Sequence, residues 1–309
     1  MFTGDTYLQP DAADPVLGDD RILELARRHV ATLRSVSAVD ESGGEARAYI
    51  CDDDIVVKTQ RPNRLRPRTS LEKEVFVLGC LAANADVAIP RVLGYGSDDD
   101  IEYIVMTRVP GVALENAALD GSARRGALGD LGATLRRIHE VDQAEMESSP
   151  LIPGDRNAAD LRDRLASGFE ALSAAVAPDG RFLGIDLRRL AEVCLSGLPA
   201  SLRPVTLHSN PGSEHCFVDP DTGRFTGLID FGDAYRSHPA LDLRSWSSLD
   251  DSQHLLDGYR SLGALPEGFG QVRRCGIILT ELRLVARARR DRDEVAHTIR
   301  ALLEGDGDS

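Results

Sequence analysis

Residues Val205–Asp242 read VTLHSNPGSEHCFVDPDTGRFTGLIDFGDAYRSHPALD. Two short apolar runs, Cys216–Val218 and Phe225–Ile229, flank Asp219-Pro220-Asp221-Thr222-Gly223. That segment places Pro and Gly where a hairpin needs a fixed φ and a free one. Polar residues stand just outside both runs: His208, Ser209, Asn210 and His215 before the first, Asp230 and Asp233 after the second. An antiparallel ribbon returns the chain to where it set out, so the spacing predicts both clusters at one end. Carboxylate, amide and imidazole groups gathered there suit a metal and phosphate site.

The rest of the composition narrows the field. A chain of 309 residues can bury a large core and fold as two lobes. Lys and Arg number 36 against 50 Asp and Glu, a formal charge of −14, with pI near 5.0. This balance disfavours nucleic acid as a partner, since phosphates attract a basic face. It suits a cationic small molecule, and it equally serves solubility. The five cysteines (Cys51, Cys80, Cys194, Cys216, Cys275) are scattered and show neither metal spacing nor a disulfide framework, as expected in a reducing cytoplasm. No apolar run approaches the ~20 residues of a membrane span, so no membrane contact is expected. Nothing in the sequence marks an oligomeric state.

Working outward, residues 1–18 read as a loose leading segment. Asp19-Asp20 open an amphipathic helix expected to end near Leu33. Strands follow at Val36–Val39, Ala48–Cys51 and Ile55–Thr59, the first two joined by Ser42-Gly43-Gly44-Glu45-Ala46. Gln60–Arg68, carrying Arg61, Arg64, Arg66 and Arg68, reads as a basic surface loop able to meet an anion or substrate. Ser70 then caps a helix running through Leu81. Strands at Ile89–Gly96 and from Ile101 to Val109 end at Pro110-Gly111. Beyond them the pattern is helical: one long helix over Ala127–His139, then helices at Asp160–Val176, Leu187–Leu195, Gln253–Arg260 and Val272–Arg290, and a last one before Glu304. Residues 304–308 read as a frayed end. Taken singly, Lys58 is equally an edge-strand lysine, Gly43-Gly44 a plain turn, and Glu72 and Glu74 first-turn acids facing the helix dipole.

In this order the elements resemble the aminoglycoside phosphotransferase family of the protein-kinase-like superfamily. There a His-x-Asp-x-x-x-x-Asn loop precedes a hairpin and Asp-Phe-Gly. His208 matches the His and Asp230-Phe231-Gly232 the second motif, while Asn210 stands at the catalytic Asp and His215 at the Asn. The resemblance implies an α+β bilobal fold. Residues 1–108 would form a small antiparallel-sheet lobe with one main helix, and 109–309 a larger, mostly helical lobe. It implies ATP or GTP as phosphoryl donor with Mg²⁺, His215 tilting the preference towards Mn²⁺. It makes Gly43 and Gly44 the loop over the phosphates, Lys58 their grip, and Glu74 the partner of Lys58. Met106, Thr107 and Val109 would form the hinge facing the base, Asn210 and His208 the catalytic loop, and His215 and Asp230 the metal ligands. Asp233 would bind metal or cap the next helix, and Asp242 would brace the loop. The implied function is phosphorylation of a hydroxyl on a small, aminoglycoside-like molecule. The alternative is a catalytically impaired member that binds nucleotide or ligand, because Asn210 cannot accept a proton as a carboxylate does.

Overall fold

The apolar run Tyr103–Met106 within Ile101–Thr107, buried on both faces, sets up the N-terminal half. In the computed structural model, which describes residues 7–67, 69–82, 87–98, 101–246 and 248–304, this strand is β5 of a five-stranded antiparallel sheet. Its companions are β1 (Val36–Asp40), β2 (Ala46–Cys51), β3 (Ile55–Gln60) and β4 (Val92–Asp98), in the order β1-β2-β3-β5-β4. Successive strand residues face opposite sides. Tyr103 and Val105 accordingly pack with Tyr49 and Val57 against α1 (Asp19–Arg27), which buries Ile22 and Leu25. Ile104 and Met106 face the other way, with Val77, Leu78 and Leu81 of α2 (Leu71–Leu81). Ser70 accepts the Lys73 N–H, as its sequence position requires.

Two expectations fail here. The first helix stops at Arg27, where the last turn tightens and Arg27 Nε donates to the Leu33 carbonyl. The leading segment is fastened rather than loose from residue 7 onward. Asp14 bridges Arg47 and Arg61 at 2.5 and 2.7 Å, and their guanidinium groups hold its carboxyl below the ordinary range against the opposing effect of burial. Residues 1–6, Arg68, Asp99, Asp100 and the tail 305–309 lie outside the described residues.

After Thr107 the chain turns at Gly111 (φ +95), where an added Cβ would meet the Val218 carbonyl at 2.1 Å. It then forms β6 (Val112–Ala113) and enters a helical half. This half contains α3 (Gly121–Glu140), α4 (Ala144–Ser148), α5 (Ala158–Val176), a hairpin of β7 (Arg181–Phe182) and β8 (Ile185–Asp186), and α6 (Leu187–Ser196). β9 (Val205–Leu207), β10 (Cys216–Val218), β11 (Phe225–Leu228) and β12 (Tyr235–Ser237) follow, then α7 (Leu249–Arg260), α8 (Phe269–Ala286) and α9 (Arg292–Glu304). α3 and α7 meet backbone to backbone: a Cβ at Gly132 would lie 2.1 Å from the Leu255 carbonyl, and one at Gly258 2.0 Å from that of Gly129. One continuous apolar core runs from Leu71, Leu81 and Ile104 to Leu128, Ile278 and Ile299. No helix among the described residues is long and apolar enough to cross a membrane.

Candidate active site

The quoted stretch folds as its turn chemistry dictates. β10 pairs antiparallel with β11 and, on its other edge, with β6. Asp219 accepts from the Asp221 and Thr222 N–H groups, and Gly223 takes φ +68, closing the turn. The Ile229 N–H donates to the His215 carbonyl at 3.1 Å, so the ribbon delivers Asp230 beside His215.

Lys58 reaches the same point from β3. Its Nζ lies 2.6 Å from Glu74 Oε2 and 2.6 Å from Asp230 Oδ1. Burial alone would lower the lysine pKa, but the two carboxylates outweigh it and raise it. Burial likewise works against ionised Asp230, yet Lys58 and the His215 ring hold its carboxyl far below the usual range. Glu74, 1% exposed, is pushed up by burial and by Asp230, with Lys58 pulling the other way. Of the two helix acids, Glu74 and not Glu72 meets the lysine. An ammonium has three donors, so two bonds leave one for a further acceptor.

Asp242, fully buried in the 3-10 helix Pro239–Leu243, fixes the loop before the ribbon. It accepts the His208 N–H at 2.8 Å, the Ser209 N–H at 2.7 Å and His139 Nε2–H at 3.0 Å. These bonds hold Ser209 at φ +84, while Asp230 stands at φ +71 on the other side. Left-handed backbone costs a non-glycine residue roughly 1–3 kcal/mol and persists only where its surroundings impose it. His208, expected among the catalytic residues, bonds the ribbon and its own loop. Its ring is wholly buried, Nε2–H donates to the Ile229 carbonyl at 2.8 Å, and Nδ1 accepts the Asn210 N–H at 3.3 Å. Burial lowers its pKa, so the ring stays neutral with both nitrogens engaged.

Asn210 presents its amide at the mouth of the loop. Nδ2 donates to Glu214 Oε1 at 3.1 Å, and the Asn210 carbonyl accepts from His215 Nδ1 at 2.8 Å. Glu214 can fold back because residue 212 is glycine: a Cβ there would sit 2.3 Å from Glu214 Oε2. Asp233 caps no helix, since His238 caps the one that follows. Its oxygens take Thr69 Oγ1–H at 2.5 Å and Arg66 Nη2–H at 2.9 Å, and Arg66 also pairs with Glu45 beside the glycine turn.

The structure therefore brings Lys58, Glu74, Asp230, His215 and Asn210 into one hydrogen-bonded cluster. Gly43 and Gly44 lie outside it on the exposed β1–β2 turn, and Met106, Thr107 and Val109 at the end of β5 and just beyond. Met106 and Val109 are buried, and the Thr107 N–H is engaged by the Arg91 carbonyl at 2.9 Å. Thr69 was not singled out by sequence, and Arg66 entered only as part of the basic Gln60–Arg68 loop; Glu214 has a local signal in the Pro211-Gly212 pair that turns the chain back on Asn210.

For a divalent cation, the fit lies in a nitrogen and an oxygen side by side: His215 Nε2 and Asp230 Oδ2 stand 3.3 Å apart at the end of the ribbon. Imidazole nitrogen and carboxylate oxygen are both cation ligands. No preformed group of three His, Cys, Asp or Glu ligands exists among the described residues. A metal that shares its coordination with phosphates and water needs no such cage. A nitrogen-containing pair favours Mn²⁺ over Mg²⁺.

The phosphotransferase enzyme family matches residues 37–270. An aminoglycoside 3'-phosphotransferase of Streptomyces ribosidificus is 28% identical over 178 residues, 55% of this chain and 64% of that protein. Another, from Streptomyces fradiae, is 27% identical over 146 residues, covering 47% and 52%. The chain thus spans between half and two thirds of the length of these relatives. Among solved structures, the GDP and kanamycin complex of APH(2")-IIia superimposes with TM-score 0.64 at 17% identity, covering 92% of this chain and 97% of that one. The macrolide 2'-phosphotransferase MphH of Brachybacterium faecium gives TM-score 0.61 at 23% identity, covering 94% and 99%. Identities this low carry the fold alone.

Proposed function

Since the chain belongs to the phosphotransferase enzyme family, we propose that it transfers a phosphoryl group from ATP or GTP to a hydroxyl of a small molecule. One observation carries this reading: Lys58 Nζ stands 2.6 Å from both Glu74 and Asp230, joining the β-sheet half to the end of the ribbon. Nothing but a charged, oriented ammonium with one donor left is needed there to grip a phosphate oxygen. The Gly43-Gly44 turn lies over the phosphates in this reading, and the segment Met106–Val109 meets the base. Because its N–H is engaged, Thr107 can offer the base only its carbonyl. When bound, a divalent cation held by Asp230 and His215 neutralises phosphate charge.

The proton of the acceptor hydroxyl needs a base, and the Asn210 amide is none. The carboxylate nearest that amide in the loop is Glu214, 3.1 Å away. In this reading Asn210 orients the hydroxyl and Glu214 accepts its proton, a contribution typically worth ~10²–10⁴ in rate. Residues 1–108 would carry the nucleotide and 109–309 the acceptor. Aminoglycosides and macrolides, named for the relatives, form the first acceptor panel. A second reading, binding without efficient transfer, is favoured by Asn210 itself. Thermal-shift titration of ATP and GTP with Mg²⁺ or Mn²⁺, followed by turnover on the panel, separates the two. Nucleotide binding with turnover abolished by Glu214→Gln supports transfer. Nucleotide binding without turnover, restored by Asn210→Asp, supports the impaired form. If no nucleotide shifts the melting temperature, both fail.

A further inference from the structure

Behind Ser209 and Asp233 lies a cavity of about 210 Å³. It is walled by five cationic side chains, Arg66, Lys73, Arg164, Arg244 and Arg283, against one carboxylate, Asp233. The charge of this wall is opposite to that of the chain, which carries 50 acidic against 36 basic residues. Arg164 is matched by Asp155 at 2.6 Å, and Arg66 by Asp233 and Glu45. Arg244 differs. Its hydrogen bonds go to the Ser209 carbonyl at 2.8 Å, the Leu241 carbonyl at 2.5 Å and Tyr235 Oη at 3.3 Å, all neutral oxygens. Among the described residues it has no carboxylate partner, so its full positive charge faces the cavity wall. Leu241 and Leu279 supply an apolar side. An anion entering this half-enclosed space meets the Arg244 guanidinium with no carboxylate of its own to compete, where a polycation would be repelled by it.

We propose that this cavity is an anion-binding subsite for the acceptor, so that the substrate is a hydroxylated small molecule bearing a carboxylate or phosphate rather than a polyamine. Its role as an acceptor subsite rests on the phosphotransferase reading. Ser209, in the cavity wall, directly precedes Asn210 in the chain, and Asp233 lies three residues beyond Asp230, so the cavity shares its wall with both loops of the candidate site.

Calorimetric titration of the full chain with glycerol 3-phosphate, glycerate, glycerol and kanamycin tests the assignment. The two anions are expected to bind at least tenfold tighter than glycerol and kanamycin, and whichever is tighter names the anionic group. Arg244→Gln and, separately, Arg66→Gln should each weaken the anions fivefold or more. Arg189→Gln, an exposed arginine outside the cavity, should leave them unchanged. Kanamycin binding tighter than either anion overturns the proposal, as does anion binding weakened as much in Arg189→Gln as in the cavity variants. An ATP-induced melting shift in the same samples reads the phosphotransferase assignment separately. Absence of anion binding while that shift persists would sink the subsite and leave the phosphotransferase standing.

Discussion

The two sides of the β10–β11 ribbon are held in opposite ways. On the Lys58 side, acids and base are locked together: Glu74 is 1% exposed, and Lys58 Nζ lies 2.6 Å from it and from Asp230. On the Asn210 side, an exposed Glu214 touches an uncharged amide, and only the absence of a side chain at Gly212 lets it fold back. In the proposed reading the first side grips phosphate, and the second lacks a carboxylate at Asn210, the position the resemblance gives to a proton acceptor. A buried charge cannot be exchanged without stranding its partners, whereas an exposed one can be relocated at small cost.

That contrast can be broken in order of expected effect. Lys58→Met strands two carboxylates and should reduce nucleotide turnover about 10³-fold, in the upper range for removing one charge-stabilising donor. A steady-state assay checks it, and a loss under tenfold would mean the trio is structural only. Asp242→Ala leaves the His208, Ser209 and His139 donors unpaired in the interior and should destabilise the fold by roughly 3 kcal/mol, read by urea denaturation. Glu214→Gln should cost about 10² in turnover with little change in melting temperature. An unchanged rate would remove Glu214 from the chemistry.

The smallest effect is in pH. His208 and Asp242 both have folded pKa values below their unfolded ones. For each, the unfolded chain binds protons more readily, so the stabilisation is complete above the unfolded pKa and is lost as pH falls towards the folded one. For His208 that loss starts near pH 6.5 and for Asp242 near pH 4. One titrating group contributes at most ~1.4 kcal/mol per pH unit. Denaturation between pH 7.5 and 5.5 should therefore show a shallower slope in His208→Gln than in the parent protein.

Much of this was legible from local pattern. The Pro and Gly of the Asp219–Gly223 turn and Ser70 ahead of α2 each dictate structure within a few residues, and the order of the elements carried the resemblance that implied the fold. What stayed hidden depends on distance along the chain. Asp14 meets Arg47 and Arg61 across 33 and 47 residues, and Asp233 meets Thr69 across 164. No periodicity records such pairs. A motif gives the residue type and spacing of His208 but not its burial. The positive cavity wall was visible only in part: Arg66 lies in the basic loop, while Arg164, Arg244 and Arg283 join it from distant stretches.

The glycine contact between α3 and α7 reaches further than helix packing. α3 carries His139 and α7 carries Tyr259, whose hydroxyl meets His139 Nδ1 at 2.9 Å while the opposite ring nitrogen holds Asp242. The seam works as a spacer gauge: its thickness sets the aim of a loop it never touches. A single methyl group inserted at Gly132 or Gly258 would meet backbone 2.1 or 2.0 Å away, force the two helices apart and carry His139 and Tyr259 with them.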